Sequence, residues 1–294
     1  MKRLVFFAFF MVITTTFSQT LECIPHHIGE SSWPSNTLYA LKHSIKTFPI
    51  NNVTLVLSLD GYPVAFHGFN LAKTTNGMGN PESYNLKYLK TLDAAYMFNP
   101  DEQYPLRNKG IEIPTLKELL VILPNNPRYK LILDLKSHQN LQLVKSVVAT
   151  INTLDDSKSY WNKIIFYSTE ESALTELIKL EPSAQIFLSR KETLKLLLNN
   201  QITIQQQRDI KNINWIGFEM QRNLCERFTL GENCVQANQL WTKDKVKELK
   251  NINPDIHIVV FAADSLAVEL KANEAGASYI YTNAPNNSQI CLKQ

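Results

Sequence analysis

Lys130-Leu131-Ile132-Leu133-Asp134-Leu135-Lys136, then Leu141-Gln142-Leu143-Val144-Lys145-Ser146-Val147-Val148, then Lys163-Ile164-Ile165-Phe166-Tyr167, is the stretch that decides the fold. The outer two runs are short and nearly continuously apolar, as strands read when both of their faces are covered. The middle run continues to Leu154 with apolar residues at helical spacing. A buried strand, an amphipathic helix and a second buried strand make a parallel β/α unit.

The same alternation extends in both directions. Strands are expected at Glu22–His26, Val53–Leu59, Pro63–His67, Lys130–Lys136, Lys163–Tyr167, Gln185–Ser189, Trp215–Glu219, His257–Phe261 and Tyr279–Thr282. Helices are expected at Thr37–Thr47, Thr115–Leu123, Leu141–Leu154, Glu170–Leu180, Lys191–Asn200, Lys243–Lys250 and Ser265–Ala275. Asp60-Gly61 between two strand-like runs signals a hairpin, which absorbs the ninth run and leaves eight. Eight strands and their helices in 294 residues fit a single α/β domain, a TIM-type (β/α)8 barrel. Residues 68–113, rich in Asn, Gly, Pro and Tyr, break the alternation and read as a small insertion after the second barrel strand. An open doubly wound sheet is the competing architecture, but no glycine-rich phosphate turn follows the first strand.

The N-terminus reads as a secretory leader over residues 1–18: Lys2 and Arg3, an apolar run from Leu4 to Val12, and small residues before a cleavage point near Ser18. Residues 19–294 form the expected barrel domain, and no segment of it is long and apolar enough to span a bilayer. The expected location is outside the cytoplasm, secreted or periplasmic. Losing Lys2 and Arg3 takes the formal charge from +3 to +1, so the mature chain carries no electrostatic footprint for nucleic acid. Four cysteines suit an oxidising compartment. Cys225 and Cys234 flank a short turn, and Cys23 and Cys291 flank the first and last strands, which are neighbours in a closed barrel.

Two histidines stand out. His26 ends the first strand in His26-His27-Ile28-Gly29, and His67 ends the hairpin in Pro63-Val64-Ala65-Phe66-His67. Imidazoles titrate near neutrality, so a pair of them supplies both the acid and the base that displacement at a phosphodiester requires. Asp134 and Lys136, two apart on one strand, share a face.

The order of these pieces resembles the glycerophosphodiester phosphodiesterase family, from His26 to Pro285. The resemblance rests on the two His segments, Thr74-Thr75-Asn76-Gly77, Leu92-Asp93-Ala94-Ala95-Tyr96, Gly110-Ile111-Glu112-Ile113-Pro114-Thr115-Leu116, Leu133-Asp134-Leu135-Lys136, and Tyr279-Ile280-Tyr281-Thr282-Asn283-Ala284-Pro285. It implies a TIM-type barrel whose site lies at the C-terminal ends of the strands, with His26 and His67 as acid and base. It further implies Lys136 and His27 near the phosphate, and a calcium or magnesium ion bridging the phosphate. The implied partner is a small phosphodiester or lipid head group, and the products are glycerol 3-phosphate and an alcohol.

The chain departs from the family pattern where the cation would bind. His27 replaces an arginine, Ser35 replaces a ligand glutamate, Asn52 and Thr54 replace a Glu-x-Asp pair, Gly68 replaces an acid, and Asn283 replaces an aspartate. Asp134 keeps a charge at a metal-binding glutamate position. Calcium and magnesium affinity follows carboxylate count, so Asp134 with Asn52 should bind a cation weakly unless Glu30 or Glu219 joins them. Two functions are compatible with this set: a secreted phosphodiesterase that relies on its histidines, or a pseudo-enzyme that binds a phosphodiester or a protein without turnover.

Overall fold

The computed structural model describes residues 21–199, 201–228 and 231–293. The leader lies outside them. Among the described residues there are eleven strands: β1 (Glu22–Pro25), β2 (Ile50–Leu57), β3 (Pro63–Ala65), β4 (Lys130–Leu135), β5 (Ile164–Tyr167), β6 (Gln185–Ile186), β7 (Trp215–Glu219), β8 (Arg222–Phe228), β9 (Gly231–Ala237), β10 (His257–Phe261) and β11 (Tyr279–Thr282). The helices are α1 (Leu38–Ser44), α2 (Leu86–Leu89), α3 (Leu116–Val121), α4 (Asn140–Asn152), α5 (Ser157–Lys163), α6 (Glu171–Leu180), α7 (Arg190–Leu198), α8 (Ile204–Lys211), α9 (Lys243–Ile252) and α10 (Leu266–Ala275).

Parallel pairing runs β2-β4-β5-β6 on one side and β7-β10-β11-β1 on the other, and a single parallel bridge, Phe187 to Trp215, joins β6 to β7. One apolar cluster takes Ile24, Ile50, Ile132, Ile165, Phe187, Trp215, Val259 and Tyr281, one residue from each of the eight barrel strands or its immediate extension. These eight close a TIM barrel around a packed interior. Alternation along each strand puts the next residues outward: Val53, Leu55, Leu131, Leu133 and Leu135 pack beneath α3, α4 and α6. A second outer cluster, including Ile216, Phe218, Ile258 and Val260, lies beneath α7 to α10.

Between β1 and β2 the seam is stitched by two side chains. Asn52 Oδ1 accepts from the His27 backbone N–H (3.2 Å), and Asn36 Oδ1 accepts from the Thr54 N–H (2.9 Å). Helix starts are set by local capping, with the Thr37 hydroxyl on the Ala40 N–H and reciprocal capping boxes at Thr115/Glu118 and Thr203/Gln206.

β3 returns antiparallel on β2, as the Asp60-Gly61 turn requires, and Ala65 N–H donates to Pro114 O (2.8 Å). The residues between form a small satellite core of Phe66, Leu71, Leu89, Leu92, Ala95 and Ile111 against Val56 and Val64. Asp93 braces it by accepting from Ala95 N–H and Asn108 N–H (3.0 and 2.6 Å). Tyr96 and Tyr104 clasp the Arg107 guanidinium at 3.9 and 3.8 Å, while Phe261 packs inside the barrel.

The antiparallel hairpin of β8 and β9 departs from expectation, since Arg222-Asn223-Leu224-Cys225-Glu226 lacks an alternating apolar face. Its register sets Cys225 opposite Cys234, and Cys234 is disulfide-bonded. Cys23 and Cys291 are joined, with Cα atoms 5.4 Å apart.

Candidate active site

Period-2 alternation carries the inward face of β2 from Ile50 through Asn52 to Thr54, and that of β4 from Ile132 to Asp134. Lys136 follows just beyond β4. At the C-terminal mouth Asn52, Asp134 and Lys136, with His26, Arg190 and Asn283, line a cavity of roughly 360 Å³.

The chain leaves β1 in a strained turn. His27 and Ile28 both take positive φ (49° and 62°), and Gly29 follows at 78°. A side chain on Gly29 would press on the Trp33 ring and Pro285, so this position favours glycine twice over, by conformation and by space. The turn buries the His27 ring, which is only 1% exposed. It lies between the other two imidazoles, 3.7 Å from the His26 ring centroid and 3.9 Å from that of His67. His26 and His67 are thus brought to one place, but as the ends of a three-ring stack.

Each ring is held differently. His26 Nδ1–H donates to Asn283 Oδ1 (2.7 Å), and Asn283 is fixed by donating its N–H and Nδ2–H to the two oxygens of Asp264 (2.6 and 3.0 Å). Because the Asn283 oxygen can only accept, His26 carries its proton on Nδ1 and turns Nε2 to the mouth. His27 Nδ1–H donates to Glu30 (2.8 Å), and its buried Nε2 has no partner among the described residues. Burial, then the neighbouring His26 and Lys136, hold His27 well below the ordinary imidazole range. His67 is the most exposed of the three. Desolvation, with His27 and Lys136 beside it, lowers its pKa to about 3, so it stays neutral at physiological pH.

Asp134 is buried and its Oδ2 is paired with Lys136 Nζ (2.9 Å), while Oδ1 has no partner among the described residues. Burial raises its pKa against the opposing pull of Lys136. Across the mouth, Arg190 Nη2 grips both oxygens of Glu219 (2.5 and 2.7 Å), and Arg190 Nη1 donates to the Tyr167 hydroxyl (3.3 Å). Tyr167 is pushed up to about 12 by burial. On the other side of the stack, His67, Glu30, Ser35, Lys73 and Thr74 line a smaller cavity of roughly 120 Å³. It shares Glu30, Ser35, Lys73 and Thr74 with a groove of roughly 490 Å³ that reaches Phe98 in the inserted segment.

Residues 26–227 match the glycerophosphoryl diester phosphodiesterase family model. The chain belongs to this family. It is 26% identical over 272 residues to the protein Rv2277c of Mycobacterium tuberculosis, covering 90% of this chain and 88% of that one. The crystal structure of the glycerophosphoryl diester phosphodiesterase domain of that protein superposes with a TM-score of 0.75 at 25% identity, over 90% of this chain and 97% of the domain. A glycerophosphodiester phosphodiesterase of Bacillus subtilis is 28% identical over 167 residues, 53% of this chain and 55% of its own. In fold the chain also matches an Oleispira antarctica phosphodiesterase solved with the product sn-glycerol-3-phosphate (TM-score 0.68, 19% identity, 94% and 98% covered).

The family's hard-cation chemistry finds a poor donor set here. Asp134 is engaged by Lys136, and Asn52 spends its amide on His27 N–H and Ile132 O. Glu219 is committed to Arg190, and Glu30 lines the other cavity, with His27. Calcium and magnesium want several oxygen donors converging on one point, and Asp134, Asn52 and Glu30 are divided between two cavities. His27, expected near the phosphate, is tucked into the stack and does not present a cation to the mouth.

Sequence reasoning missed Asp264, Arg190 and Glu82. Asp264 and Arg190 each lie just beyond a barrel strand end, and that position is the signal that could have found them. Glu82, in the inserted segment, reaches the loop after β4, accepting from the Ser137 hydroxyl, His138 N–H (3.1 Å) and His138 Nδ1 (2.7 Å).

Proposed function

We propose that the protein is a secreted phosphoric diester hydrolase acting on glycerophosphodiesters or related lipid head groups, with His26 and His67 as its proton carriers. The observation that carries this reading is the convergence of both histidines, from separate strands, on the two sides of the His27 ring, His26 in the cavity that holds Lys136 and His67 in the adjoining one, in a chain of this family. The Cys23–Cys291 disulfide supports an oxidising compartment, and among the described residues no helix is long and apolar enough to cross a membrane.

In this reading the phosphodiester lies along the edges of the imidazole stack, with an anionic oxygen on Lys136. Neutral His67 takes the proton from the attacking oxygen as it bonds to phosphorus. His26, entering the step protonated on both nitrogens with Nδ1–H held by Asn283, gives its Nε2 proton to the alcohol oxygen as its bond to phosphorus breaks. The released pair is glycerol 3-phosphate and the free alcohol. Proton transfer of this kind contributes about 10²–10⁴-fold, so His26→Ala should lower kcat by about that factor.

The test is hydrolysis of glycerophosphocholine and glycerophosphoethanolamine by the mature protein, with calcium and with chelator, beside His26→Ala. Turnover that survives chelator and is lost in the variant supports the reading. Turnover equal to that of the variant in every condition rejects it in favour of a non-catalytic phosphodiester-binding protein.

A further inference from the structure

The turn that buries His27 also brings together three groups that the reaction above does not use as a unit. His27 comes from the end of β1, Glu30 from the loop after it, and His67 from beyond β3. One donor atom from each lies within 4.8 Å of the other two, the one such grouping of histidine, cysteine and acidic side chains among the described residues. His27 Nδ1 and Glu30 Oε2 are already 2.8 Å apart, joined by a single proton. The second nitrogen of His27 is buried with no hydrogen-bond partner among the described residues, so it can take the ring proton when Nδ1 is engaged. Glu30 and His67 both line the roughly 120 Å³ cavity, so the cluster opens onto space that a hydrated ion can enter.

We propose that His27, Glu30 and His67 form a binding site for a zinc-class divalent cation, and that its occupancy silences the enzyme by engaging the lone pair of His67. Two imidazoles and one carboxylate are the donor set of tetrahedral zinc with one position left for water, and they discriminate against calcium and magnesium, which take oxygen. Donors about 2.0–2.1 Å from such an ion stand roughly 3.4 Å from each other. Closing the present spread to that takes rotation of both exposed members, Glu30 and His67, about the buried His27. Binding at Nδ1 takes the place of the hydrogen bond to Glu30 and shifts the single proton of the neutral His27 ring to Nε2, so the site forms without net proton release. The inhibitory half rests on the proton-carrying role of His67; the site itself does not.

The experiment is a cobalt(II) titration of the chelator-stripped mature protein, followed by visible absorption and repeated by displacement with zinc. One equivalent should bind with the intense bands of a tetrahedral site, and Glu30→Gln and His27→Gln should each weaken binding by more than about tenfold, the loss that even outer-shell changes bring. Circular dichroism identifies a variant that fails to fold. If His27→Gln does so, Glu30→Gln, in a loop outside the barrel strands, decides. Absence of binding to the folded wild type, or binding indifferent to both substitutions, overturns the site. In the hydrolysis assay zinc should abolish turnover at one equivalent, and zinc that binds but leaves the rate unchanged or raises it overturns the inhibitory half. A chain with no turnover under any condition would sink the hydrolase reading, while the cobalt titration would still decide the site.

Discussion

Asn283 carries no charge of its own, and Asp264 supplies one a hydrogen bond further out. The chain Asp264–Asn283–His26 fixes both the tautomer and the angle of the imidazole. Converting Asp264 to Asn removes an acceptor from Asn283 Nδ2 and frees that amide to turn. Misplacement by about an ångström at a reacting centre costs on the order of 10²-fold. Steady-state kinetics should therefore show kcat falling by about 10–100-fold with KM little changed, and an unaltered kcat would remove Asp264 from the mechanism. At this scale His26, His67, Asp134 and Lys136 were legible, because each sits at a strand end inside a recognisable run. Asp264 was not, because it acts through a side chain nineteen residues later in the chain. The stacking of His27 was equally hidden: nothing in His26-His27-Ile28-Gly29 announces two consecutive left-handed residues.

Among the elements, the inserted segment is tied to the barrel at its functional end. Glu82, 7% exposed, serves three donors at Ser137 and His138, and Phe69 covers the His138 ring at 3.9 Å. Glu82→Ala leaves those donors unserved and lets the loop after β4, which follows Lys136 directly, drift. A loss of about 1–3 kcal/mol is expected, seen as a fall of several degrees in the melting temperature, together with a raised KM. A variant that melts like the wild type would show that water replaces the carboxylate at no cost. Elements with buried apolar faces were readable from the sequence. The exceptions were helices α2, α5 and α8 and the hairpin β8–β9. Helices α2 and α5 are too short to show a period, helix α8 buries Ile210 alone and only its Thr203/Gln206 capping box marks it, and the hairpin is held by backbone pairing that polar residues do not advertise.

For the whole molecule, barrel closure was legible from counting alternations, because eight buried strands between helices admit few other arrangements. The seam was not: β1 and β2 meet through Asn36 and Asn52 side chains, and a period-2 pattern carries no information about that. Across the neighbouring pair, Cys23 and Cys291 bridge the ends over a separation of 268 residues. A cross-link of this kind typically contributes about 2–4 kcal/mol by restricting the unfolded chain. Reduction, or paired Cys23→Ser and Cys291→Ser substitution, should lower the denaturation midpoint accordingly, and an unchanged midpoint would mean the barrel's own pairing suffices.

That bridge also changes what kind of object the chain is. From Cys23 to Cys291 the backbone and one sulfur–sulfur bond form a ring. A ring must be cut twice to fall apart. A protease that clips any single surface loop leaves one covalent molecule with its barrel still threaded, and the two pieces separate only when the disulfide is reduced.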